Sequence, residues 1–276
     1  DLHSFPTRRS SDLPAENGGD QATYLRHMAH AGKRLAELHI ALASNRDLPE
    51  FAPEPTRSED LQRWIDEIVA RAERVFDTLK QRRSSLKEAE RLLADQLQAQ
   101  HDMLPERLKA LLPRDTDGFN IRHHGDLHLG QLLVVKDDVF IIDFDGGPGR
   151  TIAERRRKAP PARDVAGLIR SIDYAATAAL ERALKVFPDE SGRLSLALAE
   201  WRDQAADTLL AAYRVTMAGQ RLWPNEAKAA DRLLNFFLLE KAFYEIEYEL
   251  ANRPDWLRVP LTGLLRLLAQ QPHEVA

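Results

Sequence analysis

Asp126, Gln131, Asp143 and Asp145 stand in this 276-residue chain at spacings that suit phosphoryl transfer. The stretch Ile121-Arg-His-His-Gly-Asp-Leu-His-Leu-Gly-Gln131 offers a carboxylate and then an amide. Two apolar, largely β-branched runs follow, 132–135 and 139–142, separated by the polar Lys136-Asp137-Asp138. They read as the mostly buried strands of a β-hairpin, which returns Asp143 and Asp145 toward the loop. A phosphoryl group in transit carries spread negative charge. It needs magnesium held by hard oxygen ligands and a carboxylate that orients the attacking hydroxyl and accepts its proton. Asp126 is the candidate base, and Gln131, Asp143 and Asp145 are the candidate magnesium ligands. A carboxylate directly after Phe140-Ile-Ile142 calls for a partner, because an uncompensated charge in apolar surroundings is costly.

Other readings of the same residues stay open at this point. Asp126 after Gly125 also suits a turn, and Asp143 or Asp145 would serve as a helix cap. His123, His124 and His128 have the chemistry of zinc or iron ligands, although no further histidine cluster follows them.

The string His124-Gly-Asp-Leu-His-Leu-Gly-Gln131, followed by Ile141-Ile-Asp-Phe-Asp-Gly-Gly-Pro148, Ala153-Glu-Arg-Arg-Arg157 and Arg163-Asp-Val-Ala-Gly-Leu-Ile-Arg-Ser-Ile-Asp-Tyr-Ala175, closely resembles the bacterial maltokinases. These include forms fused behind trehalose synthase, and they sit in the wider aminoglycoside phosphotransferase and choline kinase group. Gln131 stands where the wider group has Asn and maltokinases have Gln. The resemblance implies the C-terminal, large lobe of a protein-kinase-like fold, mainly α with a small β-hairpin, the N-terminal nucleotide lobe being missing. It implies transfer of the ATP γ-phosphate to the anomeric hydroxyl of maltose, with Asp126 as base and Mg2+ on Gln131 and Asp143. Asp145 stands where maltokinases commonly carry Glu. His124 and Asp164 would support the loop from behind, Asp164 serving also as a helix N-cap. Maltose, ATP and a fused or associated trehalose synthase are the implied partners.

Composition agrees with such a molecule. A net charge of −4 with 30% charged residues supplies no basic field for nucleic acid. The absence of cysteine excludes disulfides, thiolate metal sites and a cysteine nucleophile. No uncharged apolar segment is long enough to span a bilayer, so a cytoplasmic location is expected.

The elements that must position these groups are mostly helical. Residues 1–20 are expected to be a disordered, artefactual segment, of which 1–13 look foreign to the rest and resemble a translated adapter sequence, which leaves 21–276 as the helical lobe. Tyr24, Met28, Leu35, Leu38 and Leu42 mark one helix face, ended by Pro49, Pro53 and Pro55. Ser58 announces a long helix with Leu61, Trp64, Ile65, Ile68, Ala72, Val75, Phe76 and Leu79 on its apolar stripe. Ser85 and Glu88 have capping-box spacing ahead of another helix, and Pro105 suits the first turn of a short one before the turn at 115–118. Past the catalytic loop (121–131) and the metal-binding hairpin (132–145), amphipathic helices are expected over 165–184, 194–218 and 233–250, with a last one near 261–268.

Lys241, Tyr244 and Tyr248 share one helix face, where phenol rings could cover a pyranose while the ammonium meets its hydroxyls. A tyrosine stripe at this spacing is often core, but maltokinases show the same Lys-x-x-Tyr-x-x-x-Tyr pattern and use it for maltose. The run Arg155-Arg-Arg-Lys158 reads as a solvated loop or a phosphate clamp, and His39 as an ordinary packing or surface residue. Two further functions compete with the maltose-directed kinase: a related kinase for another hydroxyl compound, such as an aminoglycoside or choline, and a non-catalytic interaction module. The chain alone is expected to lack kinase activity, because no glycine-rich strand-turn-strand precedes residue 20.

Overall fold

The computed structural model describes residues 19–112, 118–147 and 151–270. Most of residues 1–20 and of the 115–118 turn lies outside them. In chain order the elements longer than three residues are α1 (Gly19–Leu42), α2 (Ser58–Arg82), α3 (Glu88–Gln98), α4 (Leu104–Leu111), β1 (Leu132–Val135), β2 (Asp138–Ile141), α5 (Ile152–Arg156), α6 (Ala162–Val186), α7 (Ser191–Met217), α8 (Ala227–Asn252) and α9 (Arg258–Gln270). The chain divides into two compact units, one from residues 1–54 and 120–223, the other from 55–119 and 224–276.

In the first unit α1 packs along α7, which also receives α6. The closest approach is at Gly32, where a Cβ would lie 2.1 Å from the Leu209 carbonyl oxygen. Glycine is therefore required for the two backbones to meet. Leu35, Leu168, Ile172 and Leu209 are fully buried around this contact. The hairpin pairs antiparallel, with Leu132 opposite Ile141 and Val135 opposite Asp138, and Lys136 takes a left-handed φ of 57° in its turn. Arg34 of α1 grips Asp138 through two bonds of 2.9 and 2.6 Å, fixing the hairpin to the helix. That guanidinium holds the Asp138 carboxyl down to about 2.

Two expectations change here. The strands are not mostly buried: Leu133, Val134, Val135 and Phe140 are 48%, 53%, 47% and 54% exposed, and only Val139 of the apolar set is buried. The cause is one-sided cover, since α1 packs against β2 alone among the larger contacts. Lys158, in the basic run, is neither solvated nor a phosphate clamp. Its ammonium donates to the carbonyls of Pro49 and Ala52 and to Glu54, all within 2.7 Å, and so ties down the loop after α1.

In the second unit α2 buries the eight residues read from its periodicity. Its start is held by Asp60, whose carboxylate accepts the Arg57 N–H at 3.1 Å. Helix α3 starts later than the Ser85 signal suggests. The Ser85 hydroxyl donates back to Arg82 O at 2.8 Å, and the Glu90 carboxylate caps the helix by accepting the Lys87 N–H at 3.2 Å. Pro105 does sit in the first turn of α4. Helix α8 departs from amphipathic expectation, because the consecutive Phe236, Phe237, Leu238 and Leu239 are all buried. A helix apolar around its circumference is a central one, and α8 receives α2, α4 and α9. Among the described residues no helix is long and apolar enough to cross a membrane.

Candidate active site

Residues 121–131 form an irregular loop whose shape is set by hydrogen bonds rather than by regular structure. Ile121 opens it by exchanging backbone bonds of 2.9 and 3.1 Å with Ala159. Gly125 then takes φ +84°, a left-handed conformation that turns the chain into Asp126. Leu127 is pressed so close to α6 that a Cβ on Gly167 would stand 2.6 Å from its carbonyl oxygen. Leu129 N–H donates to the Ser171 hydroxyl at 3.0 Å, which fixes the far end on the same helix.

Asp164 holds the centre of this loop. Helix α6 begins at Ala162, so Asp164 lies in its first turn rather than at the cap. Its carboxylate accepts the N–H groups of His124 at 2.7 Å and Gly125 at 2.9 Å. It also meets His39 Nε2 at 3.1 Å, and the other nitrogen of His39 lies 2.9 Å from the Tyr213 hydroxyl. Burial pushes the Asp164 carboxyl up, but the neighbouring His123 charge, the His39 bond and the Gly125 N–H outweigh it and hold the group well below the carboxylate range. Both ring nitrogens of the fully buried His39 are therefore engaged, a role its sequence context did not suggest. The only local signal is its place four residues after Leu35, on the apolar face of α1.

His124 joins the loop to the hairpin. Its Nδ1 accepts the Asp126 N–H at 3.3 Å, which leaves the proton on Nε2 to donate to Ile142 O at 2.9 Å. Ile142 N–H in turn donates to Gln131 O at 3.0 Å. Gln131 is buried, and its amide nitrogen donates to Asp143 Oδ2 at 2.9 Å. Asp143 itself is exposed and left-handed, with φ 64°. Asp126 is half-buried at the loop's turn. The exposed Asp145 shows a different contact, its backbone carbonyl accepting from Arg155 at 3.1 Å.

The pairing of Gln131 with Asp143 leaves one amide oxygen and one carboxylate oxygen as hard donors. That set fits magnesium, which commonly takes one or two carboxylates and completes its shell with water and phosphate oxygens. A histidine metal site is not formed. His128 Nδ1 accepts the Gly130 N–H at 3.0 Å, His124 is bonded as above, and among the described residues no three His, Cys, Asp or Glu side chains gather as a ligand set.

Lys241, Tyr244 and Tyr248 belong to α8, in the second unit. Tyr244 and Tyr248 lie nearly parallel with ring centroids 6.3 Å apart. Cations flank the pair: Lys241 and Arg71 stand 4.9 and 5.5 Å from the Tyr244 ring, and Arg253 stands 5.3 Å from Tyr248 and 5.8 Å from Trp256. The nearby carboxylates are paired, Glu247 with Arg71 and Arg74, Glu249 with Arg253. Part of the Tyr244 face is thus taken by cations, and the exposed Tyr248 is the more open ring.

The chain matches a family model described as a phosphotransferase enzyme family over residues 3–201. It is 31% identical over 176 residues to a glucosamine kinase of Streptacidiphilus jiangxiensis, covering 60% of this chain and 38% of that one. A glucosamine kinase of Mycolicibacterium smegmatis is 32% identical over 147 residues, covering 52% and 34%. Among solved structures, a crystal form of glucosamine kinase aligns with TM-score 0.71 at 26% identity over 93% of this chain and 52% of that one. A glucosamine kinase in complex with glucosamine, ADP and inorganic phosphate aligns with TM-score 0.69 at 25% identity, over 88% and 54%. The chain spans about half the length of these structures and under two-fifths of the named relatives. These proteins are glucosamine kinases, whereas the motifs resemble maltokinases; the two meet at the level of the phosphotransferase family.

Proposed function

The chain belongs to the phosphotransferase enzyme family, and from that premise we propose that it carries the catalytic loop of a sugar kinase that phosphorylates maltose at its anomeric hydroxyl, with ATP as donor. Asp126 orients that hydroxyl and accepts its proton. Gln131 and Asp143 would hold magnesium, which when bound would neutralise charge on the transferring phosphate. Asp145 is a weaker candidate for the same ion, since its shown contact is made by its backbone. Lys241, Tyr244 and Tyr248 recognise the sugar. The product, maltose 1-phosphate, would feed α-glucan synthesis, and a fused or associated trehalose synthase would supply maltose.

The observation that carries this reading is the tie between loop and hairpin. His124 bonds both Asp126 and Ile142, so the candidate base and the Gln131–Asp143 pair are held in one hydrogen-bonded frame. The ADP bound to a glucosamine kinase of similar fold supports ATP as co-substrate.

Glucosamine is the second reading, favoured by the named relatives. The charges on α8 speak for a neutral sugar instead. An ammonium-bearing substrate would face Lys241 and Arg253, and Glu247 and Glu249 are already paired with arginines. The test is incubation of the full-length protein with ATP, magnesium and, separately, maltose, glucosamine, an aminoglycoside and choline, with products identified by phosphorus NMR and mass spectrometry. Maltose 1-phosphate as the dominant product is expected. Preferential phosphorylation of glucosamine would replace maltose by the second reading, and transfer to neither sugar would remove the sugar-kinase assignment.

A further inference from the structure

Tyr213 of α7 and His39 of α1 form, with Asp164, a buried line of hydrogen bonds that ends on the backbone beside Asp126. Its polarity follows from the acceptor at its inner end. Asp164 is held as a carboxylate, so His39 Nε2 must carry the proton that meets it, and in the neutral ring Nδ1 accepts from the Tyr213 hydroxyl. Burial, and then the Asp164 charge, push the Tyr213 phenol well above its usual value, so it stays a donor. Tyr213 and His39 are fully buried and Asp164 nearly so. The Tyr213 ring is set edge-on to His39 and to Trp223, with centroids 5.8 and 5.0 Å away.

Packing alone would need only the ring. The hydroxyl is aimed at a nitrogen whose partner, Asp164, accepts the two N–H groups that shape the turn at His124 and Gly125. We propose that Tyr213 is a positioning residue of the phosphotransferase, which through His39 and Asp164 holds the loop geometry that aims Asp126. The catalytic part of this statement rests on the kinase reading above.

Three measurements on wild type, Tyr213→Phe and His39→Gln test it. The first is amide hydrogen exchange at His124 and Gly125, with Phe237 of α8 as internal control. The second is long-range proton–nitrogen NMR of the His39 ring. The third is phosphoryl transfer to maltose and glucosamine by the full-length protein. In wild type the His39 ring is expected to carry its proton on Nε2, with Nδ1 unprotonated. Tyr213→Phe keeps the ring and removes one hydroxyl. It is expected to shift the His39 nitrogen signals, to speed exchange at His124 and Gly125 about two- to tenfold, and to lower kcat by a similar factor with KM within about twofold, the size of one ordinary hydrogen bond. His39→Gln should show the larger exchange effect. Unchanged exchange at His124 and Gly125 in Tyr213→Phe overturns the proposal, as does equal acceleration at Phe237, which would mark general loosening. Absence of transfer to either sugar by wild type would sink the kinase reading, while exchange and ring NMR would still decide whether Tyr213 holds the loop through His39 and Asp164.

Discussion

Asp164→Asn is nearly isosteric and should nonetheless be among the most damaging changes outside the reacting groups. The carboxylate accepts three N–H donors, from His124, Gly125 and His39, at 2.7, 2.9 and 3.1 Å. A carboxamide has one oxygen. Its NH2 must therefore point at Gly125 N–H, or at both His124 N–H and His39. In the milder orientation one bond to a charged acceptor is lost and a buried N–H is left facing another donor, costing about 3–5 kcal/mol in all. For a unit of this size that is roughly 6–20 °C in Tm. The pH dependence has a definite sign. A carboxyl held below its ordinary value in the folded protein contributes stability above its unfolded pKa, near 4, and loses it as pH falls through that value toward the folded one. The difference in stability between wild type and variant should thus be complete at pH 7 and shrink below about pH 4. Thermal and urea unfolding at several pH values read this directly. A variant melting within about 2 °C of wild type, or a gap that widens on acidification, would refute the account of Asp164 as an ionised acceptor of three bonds.

Other perturbations separate the roles of the site residues. Asp126→Asn should lower kcat roughly a hundredfold to ten-thousandfold while sugar affinity by titration stays near normal, since a base acts in the transition state. Asp143→Ala should abolish magnesium-supported turnover more completely than Asp145→Ala, because Asp143 is the carboxylate joined to Gln131; equal, mild losses in steady-state assays would contradict that order. Gly32→Ala places a Cβ 2.1 Å from Leu209 O and should cost about 1–3 kcal/mol or more as α1 is forced off α7, measured by chemical denaturation.

What could be read from sequence was local. The stripe on α2 was legible because each of its eight residues repeats at helical period on one element. The loop and hairpin were legible because their chemistry is concentrated in about two dozen consecutive residues. His39 and Tyr213 were not: their bond joins positions 174 apart, and the bond to Asp164 spans 125, so no local pattern encodes either. The exposure of the hairpin was missed because a continuous apolar run reports what a strand offers for burial, not what is present to cover it. The late start of α3 was missed because Ser85 and Glu90 both have capping chemistry, and only the fold shows that the serine turns back toward α2. Sugar identity is harder still, since base, magnesium ligands and ATP chemistry are common to kinases of different sugars.

The order in which the chain builds its first unit has a consequence for its birth on the ribosome. Helix α1 ends at Leu42, and α7, which covers it, begins at Ser191, about 150 residues later. At translation speeds of roughly 5–20 residues per second, α1 waits about 8–30 seconds for its partner. Throughout that interval Met28, Ala31, Leu35 and Ala36 have no α7 to bury them, while residues 55–119, which belong to the other unit, emerge in between. The nascent chain thus presents a long helix with an uncovered apolar face well before its partner exists. Chaperone occupancy during synthesis should peak between the emergence of α1 and that of α7, since the close fit at Gly32 can form only after Leu209 has been made.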